Sequence, residues 1–345
     1  MNAELIRSFP LDLAWLGFTA CISYGIGRVL SLRKPVFAVF AGLAVLSALS
    51  YALAWYGLVY RMIYYLLFLI LTVITGKGIW LSFRSLERPR DLTGFEKALL
   101  AVFVIAALLC LIGNYAPPTE GRGLITELKL PKMIVRSHGW AGLTHPVQML
   151  YVMALCVKGV LFAKLLHGFL WILCALSIYS GLGVLRSRSG MKQGVYTGIL
   201  TGLAAGFFVF SVRGAVETLP LLSGRVSAED YLKSRLAFYD VMEFANENLS
   251  RSSKVFLAGS LDPDSYYWNA DTEGPAPGLL EESDLSALVT RLRARRITHV
   301  LIYKDLSAVL GWNIPRLEAT HFTKDYEDPK VILYRVDYLD NSNKV

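Results

Sequence analysis

Six apolar blocks, at residues 11–30, 35–55, 62–81, 98–115, 165–185 and 195–212, constrain this chain more than any other feature in it. Each approaches or matches the roughly 20 residues that an α-helix needs to cross a bilayer. In hydrocarbon the backbone must satisfy its own polar groups, so blocks of this kind fold as helices. A mean hydropathy of +0.45 agrees with a polytopic membrane protein and not with an ordinary soluble domain.

Charge divides the chain in the same place. Residues 1–212 hold 19 Lys/Arg against 7 Asp/Glu, and residues 213–345 hold 16 against 20. The formal net charge of +8 therefore belongs to the apolar half. Its cations sit in short connections beside the spans, where anionic headgroups and the positive-inside rule account for them. No nucleic-acid partner follows from them. Cys21, Cys110, Cys156 and Cys174 lie within apolar blocks, without a CxxC pair or nearby His, and read as small buried hydrophobes. No metal site or disulfide framework is expected. The first residues carry neither a basic n-region nor a small-residue cleavage site, so no removable signal peptide is expected either.

Three connections are basic: SLRKP; the segment with Lys77, Arg84, Arg88, Arg90 and Lys97; and the segment with Arg186, Arg188 and Lys192. Placing all three on the cytoplasmic side requires that the apolar block 146–160 does not cross the bilayer. That block is short, about 15 residues against the roughly 20 needed, and reads as a re-entrant or interfacial helix. The N-terminus, residues 116–164 and the C-terminal tail then face outward.

The expected domains are a helical membrane domain over 1–212 and an outward-facing soluble α/β domain over 213–345. In the second, Ser227 and Asp230 form a capping-box pattern, with Leu232, Leu236 and Tyr239 following at helical spacing. KVFLAG (254–259), THVLIY (298–303) and KVILYRV (330–336) read as strands, and 281–296 as an amphipathic helix with acids first and bases last. Strands alternating with helices predict a mainly parallel sheet.

The chemistry-bearing residues concentrate in 116–145: Glu120, Arg122, Glu127, Lys129, Lys132, Arg136, His138 and His145. A carboxylate at a membrane surface serves as general base for an acceptor hydroxyl, and neighbouring cations hold a phosphate as it leaves. The plainer alternative is an interfacial helix whose Lys and Arg reach up to headgroups. His167 and Lys164, at the start of the fifth span, read as packing residues. Tyr51, Trp55, Tyr56, Tyr60, Tyr64 and Tyr65 read as an aromatic belt. The Asp262/Asp264 pair fits a turn as well as a ligand site. Asn248-Leu249-Ser250 matches a glycosylation sequon, a pattern too short to carry weight.

ELKLPKMIVRSHGW (127–140), HPVQMLYVMAL (145–155) and AKLLHGFLWILCALSIY (163–179) resemble the first outer loop and following helices of the GT-C superfamily. These bacterial membrane glycosyltransferases are related to the protein mannosyltransferases and to the lipid A aminoarabinose transferase. YLKSRLAFYDVMEFANENL, KVFLAG, LRARRITHVLIYKD and VILYRV are similar to the outer C-terminal domain of many such proteins. The resemblance implies transfer of a sugar from a polyprenyl-phosphate donor at the outer face of the bacterial cytoplasmic membrane. It assigns Glu127 or Glu120 as the base and Lys129, Lys132 and Arg136 to the donor phosphate, with His138 and His145 beside them. No cofactor is evident, and a divalent metal is implied by the resemblance alone. The chain departs from the pattern: Arg122, Thr126 and Glu127 stand where members often read Asp, Tyr and His, and fewer spans precede the tail. These departures open a second reading, a non-catalytic scaffold or assembly subunit that holds a membrane protein complex.

Overall fold

The computed structural model describes residues 2–32, 34–84, 94–117, 121–140, 145–189, 192–236, 238–250, 252–258, 268–274, 276–280, 282, 284–304, 312 and 314–338. By contacts the chain forms two units, Met1–Pro118 with Leu130–Tyr231, and Thr119–Lys129 with Leu232–Val345.

The first unit contains six described helices long and apolar enough to cross a membrane. They are α1 (Asn2–Val29), α2 (Pro35–Trp55), α3 (Arg61–Arg84), α4 (Gly94–Asn114), α7 (Val160–Ser189) and α8 (Gln193–Leu222). These match the six apolar blocks. Between α4 and α7 lie α5 (Gly121–Ser137) and the short apolar α6 (Pro146–Val157). Helices α1 and α2 touch backbone to backbone: a Cβ on Gly42 would lie 1.9 Å from the Ser23 carbonyl oxygen, and one on Gly27 2.1 Å from that of Ala38. Any side chain at either glycine would force the pair apart.

Helix α6 enters and returns at one end of the bundle. At its start, Ser47 Oγ donates to the Pro146 carbonyl at 2.6 Å. Ser47 lies eight residues before the end of α2, about 12 Å along its axis. At its finish, the Val157 carbonyl accepts from Arg61 Nε at 3.1 Å, and Arg61 is the first residue of α3. Packed against α2, α3 and α7, it buries Gln148 through Ala154 without a break. Its middle is thus enclosed by protein, while Pro146 and Val147 at its start are exposed. Two residues, Lys158 and Gly159 (φ +107°), turn the chain into α7.

The second unit is a three-layer α/β domain. Its five strands, β1 (Lys254–Ala258), β2 (Asp271–Glu273), β3 (His299–Tyr303), β4 (Phe322–Glu327) and β5 (Val331–Val336), are ordered β2-β1-β3-β5-β4. Helices α9 (Ala228–Arg235, which begins within the first unit) and α10 (Tyr239–Asn248) supply Leu232, Val241, Met242 and Ala245 to one core. Helices α11 (Pro277–Leu280), α12 (Leu285–Ala294) and α13 (Ile314–Thr320) supply Leu279, Leu288, Leu292 and Leu317 to the other. Val255 and Leu257 of β1 enter the first core, while Phe256 and Ala258 enter the second. A strand covered on both faces reads as a continuous apolar run, as KVFLA does.

Ser227 Oγ accepts from the Asp230 N–H at 2.9 Å and donates to its carboxylate, the capping interaction that the sequence suggests. Asp284 caps α12 by accepting from the Ser286 N–H, and Arg291 and Arg293 occupy the last turn. One expectation needs correction. The sheet is mixed: β1 pairs in parallel with β2 and β3, whereas β3–β5 and β5–β4 are antiparallel, because β4 and β5 form a hairpin. By contacts the units divide at Tyr231/Leu232. Helix α8 runs on to Leu222, and Leu221, Ala228 and Tyr231 form a small core with Ala116.

His299 is buried at the start of β3, with Nε2 3.3 Å from Asp325 Oδ2 on β4 and Nδ1 2.9 Å from Thr298 Oγ1. Burial holds its pKa below the ordinary value of 6.5; Asp325 opposes that shift and Arg335 adds to it. The unfolded chain therefore takes up a proton more readily than the fold does. The stability that His299 contributes is complete above about pH 6.5 and is lost as pH falls through the lower folded value. Hydrogen exchange of the β3 and β4 amides, corrected for intrinsic rate, should rise between pH 7.5 and 5. A His299→Gln variant should show a flatter dependence.

Candidate anion-binding site on helix α5

Helix α5 is amphipathic and is not among the spans. Over its second half Leu128, Pro131 and Ile134 are buried, while Met133, Arg136 and Ser137 are exposed. At 100° per residue, Lys129, Lys132 and Arg136 fall within about 60° of one another, next to the buried side. The sequence thus places the three predicted cations on one face.

Their surroundings differ. Lys129 clusters with the second unit, where its Nζ donates to Thr272 Oγ1 at 3.4 Å. Burial holds it below the usual ammonium range, against the pull of the Asp271 carboxylate. Lys132 belongs to the first unit. Burial, with a smaller contribution from the Arg136 guanidinium one turn on, pushes its pKa down to about 8. A half-desolvated ammonium beside a second cation gains charge stabilisation from any anion that reaches both.

His138 is committed to the fold. It terminates α5 in the left-handed region (φ +57°), and its Nδ1–H donates to the Val59 carbonyl at 2.8 Å. The Val59 N–H donates back to the His138 carbonyl, and the imidazole stacks on Tyr60 with centroids 4.2 Å apart. Trp140 then packs edge-on against Tyr51. This clamp fixes the end of α5 to the turn between α2 and α3, beside the exposed Trp55, Tyr56 and Tyr60. His145 is exposed at the start of α6, where its N–H donates to Gln148 Oε1 at 2.9 Å.

Of the carboxylates, Glu127 lies in α5, but its side chain, like those of Arg122 and Thr126, is outside the described residues, as is Glu120 altogether. The Asp262/Asp264 pair also lies outside them. His167 is a packing residue as expected. The Trp171 indole N–H donates to its Nε2 at 2.9 Å, leaving Nδ1–H for the Tyr151 oxygen. Among the described residues no cluster of three or more His, Cys, Asp or Glu is placed to hold a metal.

One charged site escaped the sequence reading. Asp12, five residues into the first span, is buried with its carboxylate 3.3 Å from Lys158 Nζ and accepts from the Tyr115 hydroxyl at 2.9 Å. The available signal was an acid inside an otherwise apolar span.

No family model matches the chain, and neither the curated proteins nor the solved structures contain a significant match to it.

Lys132 should titrate near pH 8, well below the ordinary lysine range of about 10.4. Its reductive-methylation rate as a function of pH reports this directly. Arg136→Ala should move the midpoint upward, because it removes a like charge.

Proposed function

We propose that this integral membrane protein binds a polyprenyl-phosphate-linked sugar through Lys132 and Arg136 and transfers the sugar to an acceptor at the outer membrane face. The observation that carries the proposal is the half-buried Lys132, its pKa lowered to about 8, one helical turn from Arg136 on an amphipathic helix. Such a pair suits a phosphate headgroup held at the level of the interface. The orientation rests on charge. The helix ends flanking the three basic connections lie opposite the end where Tyr115, Asp12, Lys158 and Arg61 meet, and the enclosed, returning α6 keeps the parity of six crossings.

In this reading Glu127 or Glu120 takes the proton of the acceptor hydroxyl as its oxygen forms the new bond to the anomeric carbon. The bond from that carbon to phosphate breaks, and the electron pair leaves on the lipid phosphate beside Lys132 and Arg136. Arg122, which stands where the resembled family often has its acid, favours a second reading: a non-catalytic scaffold or assembly subunit that holds a partner complex.

Full-length protein in nanodiscs should retain a polyprenyl-phosphate lipid in native mass spectrometry, and Lys132→Ala/Arg136→Ala should weaken retention tenfold or more. Glu120→Ala/Glu127→Ala should keep the lipid and abolish transfer. Undiminished retention by the first variant would sink the phosphate assignment, and full transfer by the second would sink the assigned base. A stoichiometric protein partner without the lipid would establish the scaffold in its place.

A further inference from the structure

We infer that Asp12 and Lys158 form a charge lock on the returning helix α6, with Lys158-Gly159 as the joint at which that helix swings when the lock opens. The inference is independent of any lipid or transfer activity. Three observations carry it. First, the pair is enclosed: the side chains of Asp12 and Lys158 are 6% and 16% exposed, and Nζ lies 3.3 Å from Oδ1. Second, the other carboxylate oxygen is occupied by the Tyr115 hydroxyl at 2.9 Å, which also lies 2.7 Å from Ser8 Oγ, and Phe9 packs edge-on against the same ring. Asp12 is thereby held by α1 and by the residue that follows α4, and it does not follow α6 if α6 moves. Third, only two residues separate α6 from α7, and Gly159, at φ +107°, has open space where a side chain would stand. A joint of this kind accepts a change of backbone angle without a steric clash.

Among the described residues the other ties on α6 are neutral or exposed, the Tyr151–His167 hydrogen bond to α7 among them. Arg61 Nε and the Tyr65 hydroxyl approach the Val157 carbonyl at 3.1 and 3.3 Å, and Ser47 holds the Pro146 carbonyl. The Asp12–Lys158 pair is the buried ionic tie, and removing one partner leaves the other charge uncompensated in a low-dielectric setting. Asp12→Asn keeps the shape and an oxygen for Tyr115 but removes the charge, so its effect should concentrate at the Lys158 corner.

The test is hydrogen exchange of the full-length protein in nanodiscs, read at peptides covering 154–163 and, for comparison, in the middle of α2 and α8. Asp12→Asn and Lys158→Met should each raise exchange in 154–163 tenfold or more while leaving α2 and α8 within twofold. The charge swap Asp12→Lys/Lys158→Asp should restore at least half of the lost protection, because the pair is re-formed with its polarity reversed. Unchanged exchange at the corner, a uniform rise across all helices, or a swap no better protected than the single variants would each overturn the lock. Tyr115→Phe, which spares both charges, should have a smaller effect than Asp12→Asn; an equal effect would assign the restraint to the hydroxyl network and overturn the ionic lock.

Discussion

The end of α4 holds the helical unit together. Within three residues, Gly113 to Tyr115, it engages three other helices. The Gly113 carbonyl accepts from Thr218 of α8, Asn114 packs on Gly168 of α7, and Tyr115, one residue beyond the helix, reaches Asp12 and Ser8 of α1. In a bilayer, apolar side chains gain little by leaving lipid for another helix. Association there depends on close packing and on polar groups that find partners. The Gly27 and Gly42 contacts do for α1 and α2 what this polar end does for α4: they replace a missing hydrophobic drive with backbone proximity. Asp12–Lys158 extends the same logic to α6, which is too short to hold itself in place by spanning.

The features visible in the sequence were those set by length and composition. Six helices long and apolar enough to span followed from apolar runs, and the shortness of 146–160 set it apart from them. Ser227–Asp230 and Asp284 were legible as caps because capping depends on a few adjacent residues. What escaped was non-local. Strand β2 has three residues, Asp271–Glu273, and is a strand only because β1 lies beside it. Strand β4, FTKDYE, has a bulge at Asp325 that breaks the alternation a reader would look for. The described partners of Asp12, Tyr115 and Lys158, lie more than a hundred residues along the chain and become its neighbours only once the bundle has formed.

The candidate site shows the same division. Helical periodicity alone places Lys129, Lys132 and Arg136 on one face of α5. Periodicity does not say that Lys132 is desolvated, that Lys129 turns to Thr272, or that His138 is taken up by Val59 and Tyr60. His138 looks reactive in the sequence because histidines often are. In the structure both its ring and its main chain fasten the end of α5 to the turn between α2 and α3.

Helix α6 also bears on how the chain is assembled. Twelve residues, fewer than the roughly 20 that a helix needs to cross a bilayer, have no stable transmembrane state of their own. The groups that hold α6, Ser47 and Arg61, lie in α2 and α3, both made before it; Asp12 lies in α1, earlier still. When α6 is made, the groups that hold its two ends are therefore already part of the chain, and α7, which also packs on it, follows. An order of elements that placed α6 ahead of α2 would leave it without Ser47 and Arg61 to hold its ends. The gene order of the helices is thus itself a folding instruction.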